Sequence, residues 1–372
     1  MSRLGLGITV ALVIGVSVVA APKGVAADDG CARFGPGVVS GTVKSNGLTE
    51  ISGVVASRVH PGVYWTHNDS GGKPEVFALT PDGTDLGSYA FPGATATDWE
   101  DIAIGPKRGG SGSYLYAADI GDNASEAPAG GLGAGRDHIT VWRAAEPAAT
   151  PKSPGVPLSG VERIDLKYPA DTYDAEAMIV DPVSGDLVIV TKSVIGMSHV
   201  MVAPAASLVN GNTVTLRDDG VIQIIPPVKV STFPGTWVTG ADISVDGSLI
   251  LVRTYQAVLA FTRATGQSVS DALHGPSCNA PAMDETQGEA VAIAADTSRY
   301  ITISEGLHQP IHSFAIAGAT PAAVPAPTTT TTRPPTVAGE VLARTGADAQ
   351  PVLAFGACVL VAALTMRRRV AS

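Results

Sequence analysis

The central part of the chain consists of short runs of β-branched and other apolar residues separated by polar turns. Two such runs are Leu187–Thr191 and Leu249–Thr254, and Gly, Pro, Asp and Asn separate similar runs throughout residues 31–318. Short runs bounded by turn-forming residues are typical of β-strands. The central part has little of the three-to-four-residue spacing that marks amphipathic helices. The sequence therefore predicts an all-β fold.

The predicted strands recur as an internal repeat. Each of five segments begins with a similar apolar strand, followed by a second and a third strand, and they start at Ile51, Trp99, Ala175, Gly240 and Gly288. Units of three or four strands that repeat along a chain are the signature of a β-propeller. We therefore expect a five- or six-bladed β-propeller.

The number of blades depends on two weaker segments. A sixth, degenerate blade between residues 210 and 230 is an alternative, because Val214–Leu216 and Val221–Ile225 have strand character. The run Val38–Val43 has the same character and is expected to complete the last blade. Closing the ring in this way leaves few exposed sheet edges.

The two ends of the chain differ in composition from the centre. Residues 1–27 contain Arg3, an apolar core over Leu4–Ala21 and small residues before Asp28, which predicts a signal peptide. We assign residues 28–318 to the propeller domain. Residues 319–341 are rich in Pro and Thr and predict an extended stalk. Residues 342–372 form a separate C-terminal segment.

The C-terminal segment carries three features in order. These are Leu342-Ala-Arg-Thr345-Gly346, the apolar stretch Pro351–Met366 and the basic run Arg367–Arg369. This order resembles the cell-wall sorting signal of Gram-positive bacteria, in the Leu-Ala-x-Thr-Gly form found in high-GC species. The resemblance implies that a sortase cuts between Thr345 and Gly346 and joins Thr345 covalently to peptidoglycan. The protein would then be extracellular and anchored to the cell wall.

The apolar stretch predicts a transmembrane helix, slightly short for the ~20 residues that span a bilayer. Its membrane contact would be transient if a sortase removes it, and the arginines that follow would stay in the cytoplasm. The alternative is a plain C-terminal membrane anchor, in which the five-residue motif has no role.

The cysteines also indicate export. The chain has three of them, and Cys358 lies in the segment that a sortase would remove. Cys31 and Cys278 remain as a pair, which predicts a disulfide bond in an oxidising compartment. Two unpaired thiols are the alternative.

The charge balance limits the kinds of partner. Lys and Arg number 24 against 34 Asp and Glu, so the net charge is −10. A negative surface disfavours binding to nucleic acid. Acidic side chains on an extracellular protein make calcium the cofactor that we expect.

Acidic residues recur near the start of the predicted first strands, which line the central channel of a propeller. Aligning the repeats places Ser52, Glu100, Glu176, Ala241 and Glu289 in one column, and Gly53, Asp101, Ala177, Asp242 and Ala290 in the next. Carboxylates that converge in a narrow channel repel one another and need a cation, a proton or water. The predicted calcium ligands are Glu100, Asp101, Glu176, Asp242 and Glu289. The alternative is that these acids hydrogen-bond to neighbouring turns and loops.

A second group of acids follows the predicted second strands of the first two repeats. His67-Asn-Asp69 ends one of these strands, and Asp119-Ile-Gly-Asp122-Asn123 ends the next. Asp and Asn beside Gly can wrap a cation, and they are equally good turn formers. Asp69, Asp119 and Asp122 are therefore further candidate metal ligands.

These motifs, together with Asp98-Trp-Glu-Asp-Ile-Ala103, are similar to those of a group of secreted bacterial propellers. That group is loosely related to β-propeller phytases, phytase-like esterase domains and calcium-dependent gluconolactonase-type hydrolases. The resemblance covers most of residues 50–316 and is sharp in the first two blades. It implies a five- or six-bladed propeller with acidic, calcium-binding residues in its channel.

Three functions are compatible with the sequence. The first is a calcium-stabilised binding or surface-display module for an extracellular ligand that the sequence does not identify. The second is a calcium-dependent hydrolase of a phosphoester, ester or lactone, in which Asp119 or His67 accepts a proton. A wall-remodelling or polysaccharide-binding protein is a third interpretation, because anchoring would bring the domain next to glycan.

Overall fold

The computed structural model describes residues 31, 33–69, 71–123, 135–227 and 233–318. The chain divides into two compact units, Met1–Pro327 and Thr328–Ser372, and the described residues all belong to the first. The predicted signal peptide, stalk, sorting motif and membrane segment lie outside the described residues. No helix within the described ranges is long and apolar enough to cross a membrane.

Nearly all of the described secondary structure is β-strand. The helices in these ranges are a 3₁₀ turn at Ala205–Ser207 and α1 (Val269–Leu273). In chain order the strands are β1 (Phe34–Thr42), β2 (Ile51–Ala56), β3 (Tyr64–Asn68), β4 (Glu75–Leu79), β5 (Asp85–Ala90), β6 (Trp99–Pro106), β7 (Ser113–Asp119), β8 (Ile139–Ala145), β9 (Val156–Pro157), β10 (Glu162–Lys167), β11 (Ala175–Val180), β12 (Leu187–Thr191), β13 (Met197–Ala203), β14 (Thr213–Thr215), β15 (Arg217–Gln223), β16 (Val238–Ile243), β17 (Leu249–Thr254), β18 (Val258–Thr262), β19 (Ser277–Ala280), β20 (Gly288–Ile293), β21 (Arg299–Ser304) and β22 (Pro310–Ile316).

These strands form five separate sheets, which are the blades of the propeller. From the inside outward, blades 1 to 5 are β2-β3-β4-β5-β9, β6-β7-β8-β10-β14, β11-β12-β13-β15, β16-β17-β18-β19 and β20-β21-β22-β1. Neighbouring strands pair antiparallel, except that β9 and β14 add short parallel strands at two outer edges. The five inner strands contact one another in a closed ring. The predicted β-propeller is therefore confirmed, with five blades.

Burial on both faces explains why these segments form stacked strands. The inner strands Ile51–Ala56 and Ala175–Val180 are buried at every position because a neighbouring blade covers each face. One apolar cluster fills each of the five gaps between blades, and the gap between blades 3 and 4 contains Ile179, Val190 and Val252. Branched side chains of this kind fit a pleated surface. Their burial, at about 25 cal/mol per Å² of apolar area, is the main force that holds the blades together.

The ring closes by pairing the two ends of the propeller domain. β1 pairs antiparallel with β22, the third strand of blade 5, as the run at Val38–Val43 predicts. Cys31 lies just before β1, and Cys278 lies on β19, the outer strand of blade 4. The two cysteines form a disulfide with their Cα atoms 5.8 Å apart. The predicted disulfide is therefore confirmed, and it ties the closing strand to the neighbouring blade.

The alternative of a sixth blade is wrong. β14 pairs in parallel with β10 at the outer edge of blade 2, and β15 is the outer strand of blade 3. Within these two strands only Val214 and Ile222 are buried. Strands with so little apolar surface extend existing sheets instead of forming a new one.

Removing the disulfide should destabilise the propeller without changing its fold. The bond joins positions 247 residues apart, and a disulfide typically stabilises a folded protein by about 2–4 kcal/mol. We expect a variant with both Cys31→Ser and Cys278→Ser to lose about that much unfolding free energy in urea denaturation. Reduced wild-type protein is the control and should match the variant. Equal stability of the variant and the oxidised wild type would contradict this prediction.

Candidate metal centre

The acids near the axis are positioned by a bulge at the start of each inner strand. In blade 2 Trp99 pairs with Asp119 and Asp101 pairs with Ala118, so Glu100 has no partner in the ladder. A bulge of this kind re-aims the side chain of the extra residue. The equivalent extra residues of blades 2 to 5 are Glu100, Glu176, Thr239 and Glu289, and in blade 1 the irregularity covers Ser52 and Gly53. Three blades therefore carry a carboxylate at the same place.

The bulge also corrects the alignment of blade 4. The repeats alone place Ala241 beside the glutamates and Asp242 beside Asp101, whereas the strand pairing puts Thr239 and Gly240 there. Apolar periodicity does not show where a bulge falls, and the blade-4 strand fits the repeat pattern equally well in the shifted register. Asp242 consequently lies further along its strand than the alignment predicts.

The residues that follow the second strands lie beside the starts of the inner strands. Backbone hydrogen bonds of 2.8–3.2 Å join equivalent positions in four blades: Asp69 to Glu50, Gly121 to Asp98, Lys192 to Asp174, and Glu305 to Gln287. In each bond the first residue donates its N–H to the carbonyl of the second. Asp69, Lys192 and Glu305 directly follow the residue that pairs with the inner strand, whereas Ile120 precedes Gly121 in blade 2. The comparison of Gly121 with the other three residues therefore rests on the shared hydrogen bond. We call Asp69, Asp98, Glu100, Asp174, Glu176 and Glu289 together the acidic mouth.

Three carboxylates of the acidic mouth converge between blades 1 and 2. Asp69, Asp98 and Glu100 each offer one oxygen atom, and these atoms lie within 4.8 Å of one another. Asp69 and Asp98 are partly exposed, whereas Glu100 is 3% exposed. The one donor that the described residues place near the Glu100 carboxylate is Ser52, whose Oγ lies 3.5 Å from Oε2.

Gly121 leaves the space into which two of these carboxylates extend. A Cβ atom at this position would lie 2.2 Å from Oε1 of Glu100 and 2.4 Å from Oδ2 of Asp98. Any other residue would therefore displace them. Arg136 and Lys192, basic side chains of this region, form their ion pairs with other acids. The acids of blade 2 thus face each other without an ion pair to a described basic side chain.

Burial and mutual repulsion change the proton affinity of these acids. Burial raises the pKa of Glu100 well above its usual range, and the charges of Glu176, Asp69 and Asp98 raise it further. Burial, followed by the charge of Asp69, raises the pKa of Asp98 to about 6. Burial also raises the pKa of Glu289. A cation held between the carboxylates would reverse these shifts because it favours their charged form.

Blade 3 repeats the acid pair and supplies its own cation. Asp174 and Glu176 are equivalent to the pair of blade 2. Lys192 makes the backbone hydrogen bond that Gly121 makes there, although in strand register Lys192 corresponds to Ile120. The Nζ atom of Lys192 bonds to Oε1 of Glu176 and lies 3.8 Å from Oδ2 of Asp174. Burial raises the pKa of Glu176 to about 8, and the charge of Lys192 opposes that rise.

Two predicted ligands, Asp101 and Asp242, join the inner strands to one another. Oδ2 of Asp101 accepts the backbone N–H groups of Met178 at 2.8 Å and Ala241 at 3.2 Å, which belong to blades 3 and 4. Oδ2 of Asp242 accepts the N–H of Ile293 in blade 5 at 2.7 Å. Their Oδ2 atoms therefore accept hydrogen bonds from backbone donors of other blades.

Asp119 and Asp122, two further predicted ligands, form hydrogen bonds and an ion pair with residues next to the carboxylate cluster. The carboxylate of Asp119 accepts the N–H of Asp98 at 3.1 Å and pairs with Arg136 at 2.9 Å. Asp122 accepts the N–H of Arg136 at 2.6 Å and donates its own N–H to Asp174 at 2.7 Å. Both residues therefore have a local structural role beside the acidic mouth.

His67 is completely buried where blade 1 meets blade 2. Its ring packs edge-to-face on Trp99 with centroids 5.7 Å apart, and Nδ1 lies 2.8 Å from the carbonyl oxygen of Asn68. Burial lowers its pKa to about 4, so the imidazole is neutral near pH 7. A neutral ring enclosed on all sides is poorly placed to exchange protons with a solute.

Sequence reasoning found Asp69 and Glu100 but missed Asp98 as a member of the cluster. The signal was present, because Asp-x-Glu occurs at the start of two neighbouring repeats, at Asp98 and again at Asp174. The other predicted ligands lie outside the group of three carboxylates, and their role in metal binding stays a prediction. They are Asp101, Asp119, Asp122, Glu176, Asp242 and Glu289.

A cavity of the described residues lies away from the acidic mouth. It has a volume of about 410 Å³ and is lined by residues of blades 3 and 4, including Asp181, Asp246 and Arg263. Arg263 and Asp181 form two hydrogen bonds to each other, at 2.8 and 2.9 Å. Because these charges are already paired and none of the clustered acids lines the cavity, we do not assign the metal chemistry to it.

Compared with known proteins, the chain matches no protein-family model and no curated protein sequence. Among solved structures it is similar to hydrazine synthase of Kuenenia stuttgartiensis, with 12% identity and a TM-score of 0.35. That similarity covers 71% of this chain and 94% of the other. A likeness at this level gives no information about function.

The metal-free protein should lose stability as the pH rises from 6.5 to 9. The folded-state pKa values of Glu100 and Glu289 are well above the unfolded value of 4.5, and that of Glu176 is about 8. The folded state therefore binds more protons, so its stability is fully present below pH 4.5 and is lost as the pH rises through the folded pKa values. His67 has the opposite shift, but its contribution is complete above about pH 6.5.

We expect the melting temperature of chelator-treated protein to fall by several degrees across this window. Saturating Ca²⁺ should remove the part of the fall that Glu100 causes, since an ion held at Asp69, Asp98 and Glu100 would favour the charged form of that carboxylate. The Glu100→Gln variant is the control and should show a flatter profile. A melting temperature that is constant or rises from pH 6.5 to 9 in the metal-free wild type would contradict the assigned pKa directions.

Proposed function

We propose that this protein is a calcium-stabilised β-propeller that acts as a binding and surface-display module outside the cell. One Ca²⁺ ion binds at Asp69, Asp98 and Glu100. The observation that carries this proposal is the contrast between blades 2 and 3. Both blades carry the same acid pair, but blade 3 neutralises its pair with Lys192, whereas in blade 2 the carboxylates of Asp98 and Glu100 lie against Gly121 and have no described basic partner.

The chemistry of the ligands favours calcium over other common metal ions. All three side chains are carboxylates, and hard oxygen ligands suit Ca²⁺, whereas zinc and copper favour imidazole and thiolate. Ca²⁺ takes about six to eight oxygen atoms, so backbone carbonyls or water would complete the shell. The partial exposure of Asp69 and Asp98 leaves room for water on the solvent side.

An extracellular location is supported by two independent features. The disulfide between Cys31 and Cys278 needs an oxidising compartment to persist. The motif that includes Leu342, Thr345 and Gly346 has the order of a Gram-positive sorting signal. We therefore propose that a sortase joins Thr345 to peptidoglycan, so that the stalk holds the propeller away from the wall. The acidic net charge of −10 argues against a nucleic-acid ligand.

A calcium-dependent hydrolase of a phosphoester, ester or lactone is the second candidate. It is favoured by the open solvent side of the site, because an incompletely coordinated ion can polarise a substrate oxygen or acidify a water molecule. It needs a base within reach of that water. Asp119 is paired with Arg136, and His67 is enclosed and neutral. Neither residue offers a free base, so the binding module is the better-supported function.

Filling the space at Gly121 should weaken calcium binding selectively. The Cβ atom of Gly121→Ala would meet Glu100 and Asp98 at 2.2–2.4 Å and force both carboxylates apart. We expect the calcium affinity measured by calorimetry to fall at least about tenfold, a loss of roughly 1.4 kcal/mol. Gly110→Ala is the matched control, because a Cβ atom at Gly110 meets no atom within 4 Å. Equal affinities of the two variants would exclude an ion at this site.

Wall attachment should depend on Thr345. In a Gram-positive host, Thr345→Ala removes the residue whose carbonyl would be joined to peptidoglycan. We expect the protein to leave the covalently bound wall fraction and to appear in the membrane fraction or the medium. Thr330→Ala in the Thr-rich stalk is the control and should remain wall-bound. Unchanged wall retention of Thr345→Ala would disprove sortase anchoring at this motif.

A further inference from the structure

We propose that Lys192 is a built-in cation that fills a second metal position of the acidic mouth and thereby limits the protein to one exchangeable ion. The second position is formed by the carboxylates of Asp174 and Glu176. This inference deepens the proposed function and rests on it for the identity of the first ion. Its own basis is the geometry of blade 3.

The two positions share a backbone hydrogen bond, although Gly121 follows an additional residue, Ile120, in its blade. Lys192 donates its N–H to the carbonyl of Asp174 at 2.9 Å, as Gly121 does to Asp98 at 3.2 Å. The bulge that sets Glu100 outside its ladder recurs at Glu176. The same pair of acids is therefore presented twice by neighbouring blades, and the residue beside the pair differs.

The side chain of Lys192 is held as a fixed counter-ion. Its ammonium bonds to Glu176 and lies 3.8 Å from Oδ2 of Asp174, and the side chain is 5% exposed. The ammonium also lies 4.9 Å from the ring centroid of Trp237 and 5.7 Å from that of Tyr255. Aromatic faces attract cations at such distances. A charge enclosed in this way cannot exchange with ions in solution.

Lys192 leaves two carboxylate oxygen atoms of this position without a hydrogen bond. Oε2 of Glu176 and Oδ2 of Asp174 have no hydrogen-bond partner, although the two residues are only 5% and 2% exposed. Buried carboxylate oxygens without a donor are costly. Both atoms remain available to a cation with several coordination positions. Removing the ammonium would leave two adjacent buried carboxylates that a divalent ion can neutralise.

As a consequence, the two sides of the acidic mouth respond differently to calcium. The side at blade 3 keeps its cation at every calcium concentration, because the cation is covalently attached. The side at blade 2 loses its ion when calcium is removed. Lys192 thus sets both the number of bound ions and the half of the acidic mouth that responds to calcium.

Calorimetric titration with Ca²⁺ tests this proposal by counting ions. We expect one ion in the wild type, two in Lys192→Met, which keeps the length of the side chain without its charge, and one in Lys192→Arg, which keeps the charge. Adding Glu176→Gln to Lys192→Met should return the count to one. A single ion with wild-type affinity in Lys192→Met would overturn the proposal. No ion in the wild type but one in Lys192→Met would instead disprove the first ion and leave this inference standing.

Amine labelling of the wild-type protein gives a test that does not depend on the folding of a variant. Reductive methylation followed by peptide mass spectrometry reports which lysines are accessible. We expect Lys192 to stay unmodified both in chelator and in saturating Ca²⁺, while the exposed Lys73 is modified in both. Modification of Lys192 only after Ca²⁺ is added would mean that the ion displaces it, which would overturn the proposal.

Discussion

The structure depends on how buried carboxylates at the axis of a closed ring are neutralised. Closing five blades puts the first strand of each blade at the centre, so the acids on those strands lose most of their contact with water. An uncompensated charge in such a place is costly. These carboxylates are compensated in three ways. Backbone N–H groups of other blades bind Asp101 and Asp242, and Lys192 pairs with Glu176. A bound ion is our proposal for the cluster of Asp69, Asp98 and Glu100.

This arrangement links the stability of the ring to its chemistry. Asp101 and Asp242 connect inner strands of different blades, so they strengthen the centre in the same way that the disulfide strengthens the closing edge. An ion between Asp69 of blade 1 and Glu100 of blade 2 would connect two further blades. Calcium binding would therefore stabilise the propeller and fix the carboxylates at its surface. This agrees with a module whose folded state outside the cell depends on the calcium concentration there.

The overall fold could be predicted from the sequence because it depends on repeated apolar strands. The blades, the closing strand at Val38–Val43 and the pairing of Cys31 with Cys278 follow from that pattern and from the even number of exported cysteines. The details at the axis could not be predicted in the same way. A shift of two residues preserves the alternation of side chains along a strand, so the apolar pattern does not distinguish Asp242 from Gly240 as the equivalent of Asp101. The importance of Asp98, Gly121 and Lys192 follows from which side chains face each other across neighbouring blades, and a linear sequence does not contain that information.

The central claim is that an ion binds at Asp69, Asp98 and Glu100 while the ammonium of Lys192 neutralises the corresponding acids of blade 3. X-ray diffraction from crystals grown with calcium, with data collected at a wavelength where calcium scatters anomalously, tests it most directly. The account predicts one anomalous peak within bonding distance of Asp69, Asp98 and Glu100, with Lys192 still bound to Glu176. No peak at that cluster, or a peak at Glu176 with Lys192 displaced, would contradict it.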